Sequence, residues 1–200
     1  ILILGGFLRF DRLGELMPFI GDQGWFYLSA RDMILTGNIP LVGITSSHTW
    51  LHQGPLWTYM LAGAFWISNF NPVSGAILTG SIGTASIVLI YKIGKVFFSK
   101  TFGLIAALVY ATSPLIIIHE RLAYHTSVIP FLVLLLIYSL LKVINSKAAF
   151  LPIVALCFSL LYNFELVTVV FIPVALLVLG IGIYKKEQWI KPIKNRMIIT

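Results

Sequence analysis

Long apolar runs alternate with short polar joints through most of the chain. A helix crossing a bilayer needs about 20 mostly apolar residues, because each rises ~1.5 Å through a hydrocarbon core of ~30 Å. Windows that meet or approach that length lie near residues 72–91, 101–118, 126–144, 148–162 and 166–184. They predict an all-α fold class, a polytopic transmembrane helix bundle. Residues 1–8 form an apolar run stopped by Arg9 and read as the end of a truncated spanning helix, and a further run opens at Met197. The chain therefore reads as the N-terminal part, residues 1–200, of a longer module truncated at both ends.

The one long polar segment covers residues 9–71 and reads as a first external loop carrying interfacial helices. Within it, residues 22–35 predict a surface helix with Gly37 and Asn38 as its stop signal. Trp25, Leu28, Ala30, Met33 and Ile34 are apolar there, while Asp22, Ser29 and Arg31 are not, a loosely amphipathic pattern suited to lying on a bilayer. Residues 55–70 form a short window bearing Trp57, Tyr59 and Trp66, and whether it spans decides the side of everything after it. If it lies at the interface, Lys92, Lys95, Lys100, Lys142, Lys147, Lys185, Lys186, Lys191, Lys194 and Arg196 share one side, which the positive-inside rule makes cytoplasmic. Arg9, Arg12, Arg31 and Arg121 then share the other side with Asp11, Glu15, Asp22, Asp32, Glu120 and Glu165. If it spans, nearly all charge of both signs collects on one face, so the interfacial reading is preferred.

Composition agrees with a membrane chain. It is 58% hydrophobic and 10% charged, with a mean hydropathy of +0.95, whereas roughly a quarter of residues are charged in soluble domains. The net charge of +7 would suggest nucleic acid in a soluble protein; here loop orientation accounts for it, and no nucleic-acid partner is expected. Cys157 is the single cysteine and sits in an apolar run, which leaves no disulfide framework and no cysteine-based metal site.

Few residues can carry chemistry in a chain with seven acids. Asp22, in Gly21-Asp22-Gln23-Gly24, reads either as an N-cap or as a carboxylate at the membrane surface poised to act as a base or hold a cation. Arg31 lies two and a half turns further on and suits a phosphate, which a guanidinium grips bidentately, while its neighbour Asp32 reads as a solvated face. His48 and His52 could ligate a metal only if their segment were helical, which Gly54 and Pro55 oppose. The joint His119-Glu120-Arg121-Leu122-Ala123-Tyr124-His125 is dense in acid-base groups. It is either an ordinary interfacial cap, with Tyr124 in the aromatic belt, or it faces the long loop across a shared cavity and brings Glu120 and Arg121 toward Asp22. Glu165 reads as a functional acid near the hydrocarbon or as a snorkelling one. Gly80 and Gly83 read as close-packing positions within a span. No ligand set for a metal stands out.

The order of these pieces resembles the polytopic glycosyltransferases of the C-type fold, closest to the group containing lipid A aminoarabinose transferases and protein O-mannosyltransferases. Residues 21–32 (GDQGWFYLSARD) resemble the start of that family's first external loop. Gly37-Asn38-Ile39-Pro40-Leu41 and His52-Gln53-Gly54-Pro55-Leu56-Trp57-Thr58-Tyr59 resemble its return to the membrane. Tyr91–Phe98, Gly103–Ala107 and Ala111-Thr112-Ser113-Pro114 resemble the next turn and helix, and Glu120–Ser127 the second external loop. The resemblance implies transfer of a sugar from a polyprenyl-phosphate-linked donor to a lipid, glycan or protein acceptor, with inversion, on the external face of a cell or plasma membrane that the protein crosses several times. It implies Asp22 as the catalytic acid that activates or positions the acceptor, with Glu120 as a second. Gln23, Arg31, His52, Arg121, His125 and Glu165 become substrate-binding candidates. Cofactor use stays open, a divalent metal being known among relatives. Where many members carry an Asp five residues after the second-loop arginine, this chain has Thr126, which leaves Glu120 as a substitute acid or marks a subgroup that works without one. A secondary transporter would instead place acids deep within repeated spans, and a non-catalytic scaffold would need no external cluster.

Overall fold

The computed structural model describes residues 1–45, 52–145 and 147–185. His48, Lys186, Lys191, Lys194, Arg196 and the run opening at Met197 lie outside the described residues. Among the described residues ten α-helices follow in order: α1 (Leu2–Phe10), α2 (Leu13–Leu16), α3 (Gly21–Thr36), α4 (Leu56–Ser68), α5 (Val73–Phe97), α6 (Lys100–Thr112), α7 (Pro114–Arg121), α8 (Ile129–Ile144), α9 (Leu151–Phe164) and α10 (Phe171–Lys185). Short 3-10 turns precede α8, α9 and α10. Among the described residues the β pairing is one isolated bridge between Thr45 and His52. The fold is all-α, as the apolar periodicity predicts.

Local chemistry sets the breaks. Gly37, at φ 74°, ends α3 in the left-handed region that glycine enters without penalty. Ser99 caps α6, its Oγ accepting the Phe102 N–H at 3.1 Å. The expected span 101–118 is interrupted: α6 and α7 meet at a 58° bend. Pro114 explains it, since its ring removes an N–H and pushes Ser113 into the extended region, φ −66° and ψ 118°.

Val73–Phe97 and His125–Ile144 are each long and apolar enough to cross a membrane, and α6 with α7 forms a third such unit if counted together. Ala148–Phe164 and Leu166–Ile181 are shorter apolar helical stretches. The 13 residues of α4 rise only about 20 Å, short of a ~30 Å core. The central helix is α5, which packs against α1, α4, α6, α7 and α8. Its buried face is built from small residues, including Gly75, Ala76, Thr79, Gly80, Gly83 and Ser86, which lets neighbouring backbones approach closely. At one end of the bundle Lys92 and Lys142 share the Tyr138 ring, their Nζ atoms 5.7 and 4.9 Å from its centroid.

Arg9, expected at the start of the long loop, belongs instead to the last turn of α1 and is fully buried. Its Nε donates to Glu120 Oε2 at 2.6 Å and its Nη2 lies 2.5 Å from the same oxygen. Nη1 donates to the carbonyls of Gly5 (2.9 Å) and Ala111 (3.2 Å). The Tyr110 hydroxyl donates to Glu120 Oε1 at 2.7 Å. Gly83 leaves the space for this carboxylate, since a Cβ there would overlap it. Arg121 completes the arrangement by donating Nε to the Arg9 carbonyl at 3.2 Å and Nη2 to the Asp11 carbonyl, satisfying acceptors that the end of α1 leaves open. One ion pair thus ties α1, α5, α6 and α7.

Removing one partner of a buried ion pair strands the other charge, at a cost of about 3–5 kcal/mol. Arg9→Ala and Glu120→Ala are each expected to lower the thermal unfolding midpoint in detergent strongly. The double variant Arg9→Met/Glu120→Leu, which removes both charges and keeps the volume, should recover most of that loss. Gly83→Ala, which drives a methyl group into the carboxylate, should be destabilising in the same assay.

Candidate active site

The first turn of α3 is closed by Gln23 rather than by Asp22. Ile20 is the extended residue before the helix, and its N–H donates to Gln23 Oε1 at 3.3 Å. Gln23 is fully buried, its Nε2 donating to the Tyr27 hydroxyl at 3.4 Å, which donates in turn to the Pro72 carbonyl at 2.9 Å. The side chain proposed by resemblance as a substrate ligand therefore holds the helix start against the start of α5. Asp22 lies one residue earlier, exposed in the first turn, where the helix dipole favours its charge. Its Oδ2 accepts the Tyr124 hydroxyl at 3.1 Å.

Tyr124 reaches Asp22 because the joint after α7 turns sharply. The Ser127 hydroxyl bonds the carbonyls of His119 (2.8 Å) and Leu122 (2.9 Å), and Ala123 is packed with no exposure. Tyr124 and His125 then project onto α3, where Phe26 meets the tyrosine ring edge-on at 5.8 Å and the imidazole at 5.3 Å. Burial, and then the Asp22 carboxylate accepting from it, push the Tyr124 hydroxyl up to about 12. The phenol keeps its proton at neutral pH and remains a donor to Asp22.

A second cluster adjoins the first through the neighbouring residue. His125 is 4% exposed, with its Nε2 3.4 Å from Glu165 Oε2. The same carboxylate oxygen accepts from Gln53 Nε2 at 3.1 Å, and that nitrogen lies 3.5 Å from His125 Nε2. Asn163 at the end of α9 fixes the returning loop by accepting the Gly54 N–H on its carbonyl (2.9 Å) and the Leu56 N–H on its Oδ1 (3.0 Å). Segments distant in sequence, α3, the loop before α4, the 122–128 joint and the end of α9, thereby place Asp22, Tyr124, His125, Gln53 and Glu165 in one neighbourhood.

Other expected site residues lie elsewhere. Glu120 and Arg121 are engaged with α1 and do not face Asp22, because successive residues at the end of a helix point about 100° apart and only the break at Leu122 turns the chain toward α3. Arg31 is exposed, its Nη1 3.8 Å from Asp32 Oδ1 with both side chains more than half in solvent, a contact of little energetic consequence. His52 is exposed beside Thr45 in the bridge, while Gln53, on the opposite face of that extended stretch, turns inward. Thr126 Oγ1 is 3.4 Å from His119 Nε2. Sequence reasoning passed over Arg9, Tyr124 and Gln53 as chemistry. Of these, only Gln53 left a usable signal, its place beside His52 in the loop's return. Among the described residues no three His, Cys, Asp or Glu side chains converge to hold a metal ion.

No curated protein and no solved structure matches the chain. The family model described as dolichyl-phosphate-mannose-protein mannosyltransferase matches residues 52–198. That match runs from the returning loop through the helices apolar enough to cross a membrane and takes in Gln53, Tyr124, His125 and Glu165 while leaving α3 outside it. With most of its length matched and with helices apolar enough to cross a bilayer, the chain belongs to the dolichyl-phosphate-mannose-protein mannosyltransferase family and is an integral membrane glycosyltransferase.

Proposed function

We propose that the protein transfers a sugar from a polyprenyl-phosphate-linked donor to a hydroxyl acceptor on the external side of the membrane, with Asp22 as the group that takes the acceptor proton. The observation that carries this reading is the 3.1 Å contact between Tyr124 and Asp22, which brings the carboxylate of α3 beside the Gln53, His125 and Glu165 cluster. An exposed carboxylate held by a single fixed donor keeps lone pairs free for an incoming hydroxyl. The acceptor oxygen attacks the anomeric carbon, the bond from that carbon to the phosphate oxygen breaks, and polyprenyl phosphate leaves with the bonding pair. The hydroxyl proton passes to Asp22, and one displacement inverts the anomeric centre.

The neighbouring cluster suits the sugar. Glu165, with 28% of its side chain open, presents carboxylate acceptors whose geometry Gln53 and His125 set. Arg31 is the exposed guanidinium of α3 that a phosphate could meet. Arg121 and Glu120 act through the fold, by holding the joint that carries Tyr124. The external placement rests on charge, since Lys92 and Lys142 gather at one end and Asp22 and Glu165 at the other.

The test uses the full-length protein, purified in detergent with a panel of radiolabelled polyprenyl-phosphate sugars and scored for release of polyprenyl phosphate. The wild-type protein should consume at least one donor, and Asp22→Asn should reduce turnover by about 10²–10⁴-fold, the usual worth of a positioned base, without altering membrane insertion. Tyr124→Phe keeps the ring packing and removes the donor to a charged group, so turnover should fall about 10–100-fold. A folded, lipid-bound protein that consumes none of the donors overturns the reading.

A further inference from the structure

A groove of about 510 Å3 runs along the outer side of α3 and is closed on its far side by the chain returning at residues 38–40. Its walls are fixed. Gly37 turns the chain back in the left-handed region, Thr36 Oγ1 donates to the Asp32 carbonyl at 2.8 Å and accepts the Asn38 N–H at 3.2 Å, and the Tyr59 hydroxyl donates to the Pro40 carbonyl at 2.5 Å. We propose that this groove is a saccharide subsite, so that the acceptor reaching Asp22 is a glycan. The inference rests on the transfer reading above and narrows its acceptor.

Register links the groove to the reacting carboxylate. Asp22, Trp25, Ser29, Asp32 and Thr36 fall at i, i+3, i+7, i+10 and i+14, within a sector of about 80° at 100° per residue. All but Asp22 line the groove. The stripe therefore leads from Asp22, at the start of the helix, to Asp32 about 15 Å further along. The inward face of α3, centred on Phe26 and Ala30, and the arginine at position 31 lie on other sectors.

The lining chemistry selects the ligand. A sugar ring presents an apolar C–H face and a set of hydroxyls; the groove offers the Trp25 indole, 42% exposed, and the apolar Leu28, Met33, Ile39 and Pro40, beside the Asp32 carboxylate, the Asn38 amide and the Ser29 hydroxyl. Indole faces pack well against flat C–H surfaces, and a carboxylate with an amide pairs vicinal hydroxyls. Among the described residues no basic side chain lines the groove, so a phosphate or other anion would meet there the charge of Asp32. A hydrocarbon tail would leave that carboxylate desolvated without a partner. The volume falls within the roughly 300–1,000 Å3 of small-ligand sites and suits a short neutral or amino-sugar oligosaccharide, whether free or carried on a lipid.

Two readouts on the full-length protein test this. In the first, mannotriose and chitotriose are titrated against intrinsic tryptophan fluorescence, with no donor present. A saturable change with one of them that is lost in Trp25→Phe and weakened about tenfold or more in Asp32→Asn supports the subsite. No change with either overturns it, whatever the protein's activity. In the second, the donor found in the turnover assay is offered with the same oligosaccharides free, with their lipid-linked forms, and with a serine-rich peptide. Trp25→Ala and Asp32→Asn should raise the acceptor KM about tenfold with much smaller loss of kcat. Equal shifts for free and lipid-linked sugars identify the sugar itself as the recognised group, and a shift confined to lipid-linked forms identifies the glycolipid as its source. Transfer to the peptide alone, or an acceptor KM unmoved by both substitutions, overturns the proposal. If no donor is consumed while fluorescence still reports binding, it is the transfer reading that has failed.

Discussion

The structure depends on a charge that the bundle encloses completely. An arginine at the end of α1 with no exposure would cost many kcal/mol to hold in a low-dielectric interior unless its charge were matched and its N–H groups used. Glu120 supplies the matching charge, two backbone carbonyls take further donors, and Tyr110 occupies the second carboxylate oxygen. An apolar contact tolerates sliding by a fraction of a turn; this arrangement does not, because displacing it separates opposite charges where nothing screens them. The pair thus fixes the register of α7 against α1 and α5, as general hydrophobic packing would not.

That register decides where the next residues go. Arg121, one position after Glu120, is committed to the carbonyl end of α1, so the chain must leave α7 at Leu122 and turn with Ala123 packed against the bundle. Tyr124 and His125 arrive on α3 as a consequence. Asp22 meets a proton donor whose position was set by an ion pair on another side of the same joint. Positioned groups require rigid supports beneath them, and here the support is electrostatic in the bundle and aromatic at the surface, where Phe26 packs against both Tyr124 and His125.

The helical architecture was legible because runs of apolar residues have few alternatives in a membrane, and the stop at Gly37 followed from glycine's access to positive φ. The 58° bend needed only Pro114, a breaker visible in the sequence but submerged in an apolar window. Composition likewise marked 119–125 as chemically dense without dividing it. Which of Glu120, Arg121, Tyr124 and His125 faces which neighbour depends on angular steps of about 100° and on where the helix breaks. Arg9 was misplaced because a charge after eight apolar residues looks like the end of a span; its partner lies 111 residues away, beyond any local pattern. Asn163 was hidden for the same reason, being an ordinary amide whose meaning comes from a distant segment.

The surface helix shows why amphipathic patterning gave an incomplete account of this region. A helix lying on a bilayer has two environments to satisfy, and its apolar residues should gather on one face. In α3 they divide: Phe26, Ala30, Met33 and Ile34 turn toward the bundle, Leu35 is largely exposed, and Leu28, also largely exposed, borders the groove. Polar and aromatic residues fill the sector between, leading from Asp22 past Trp25 to Asp32. Three environments around one helix blur any two-sided pattern, so the weak amphipathicity is itself informative. A helix that had only to float would not need its third face. On the proposed transfer reading the third face presents Asp22 to the acceptor, and the buried pair at Arg9 and Glu120 keeps that face aligned with Tyr124.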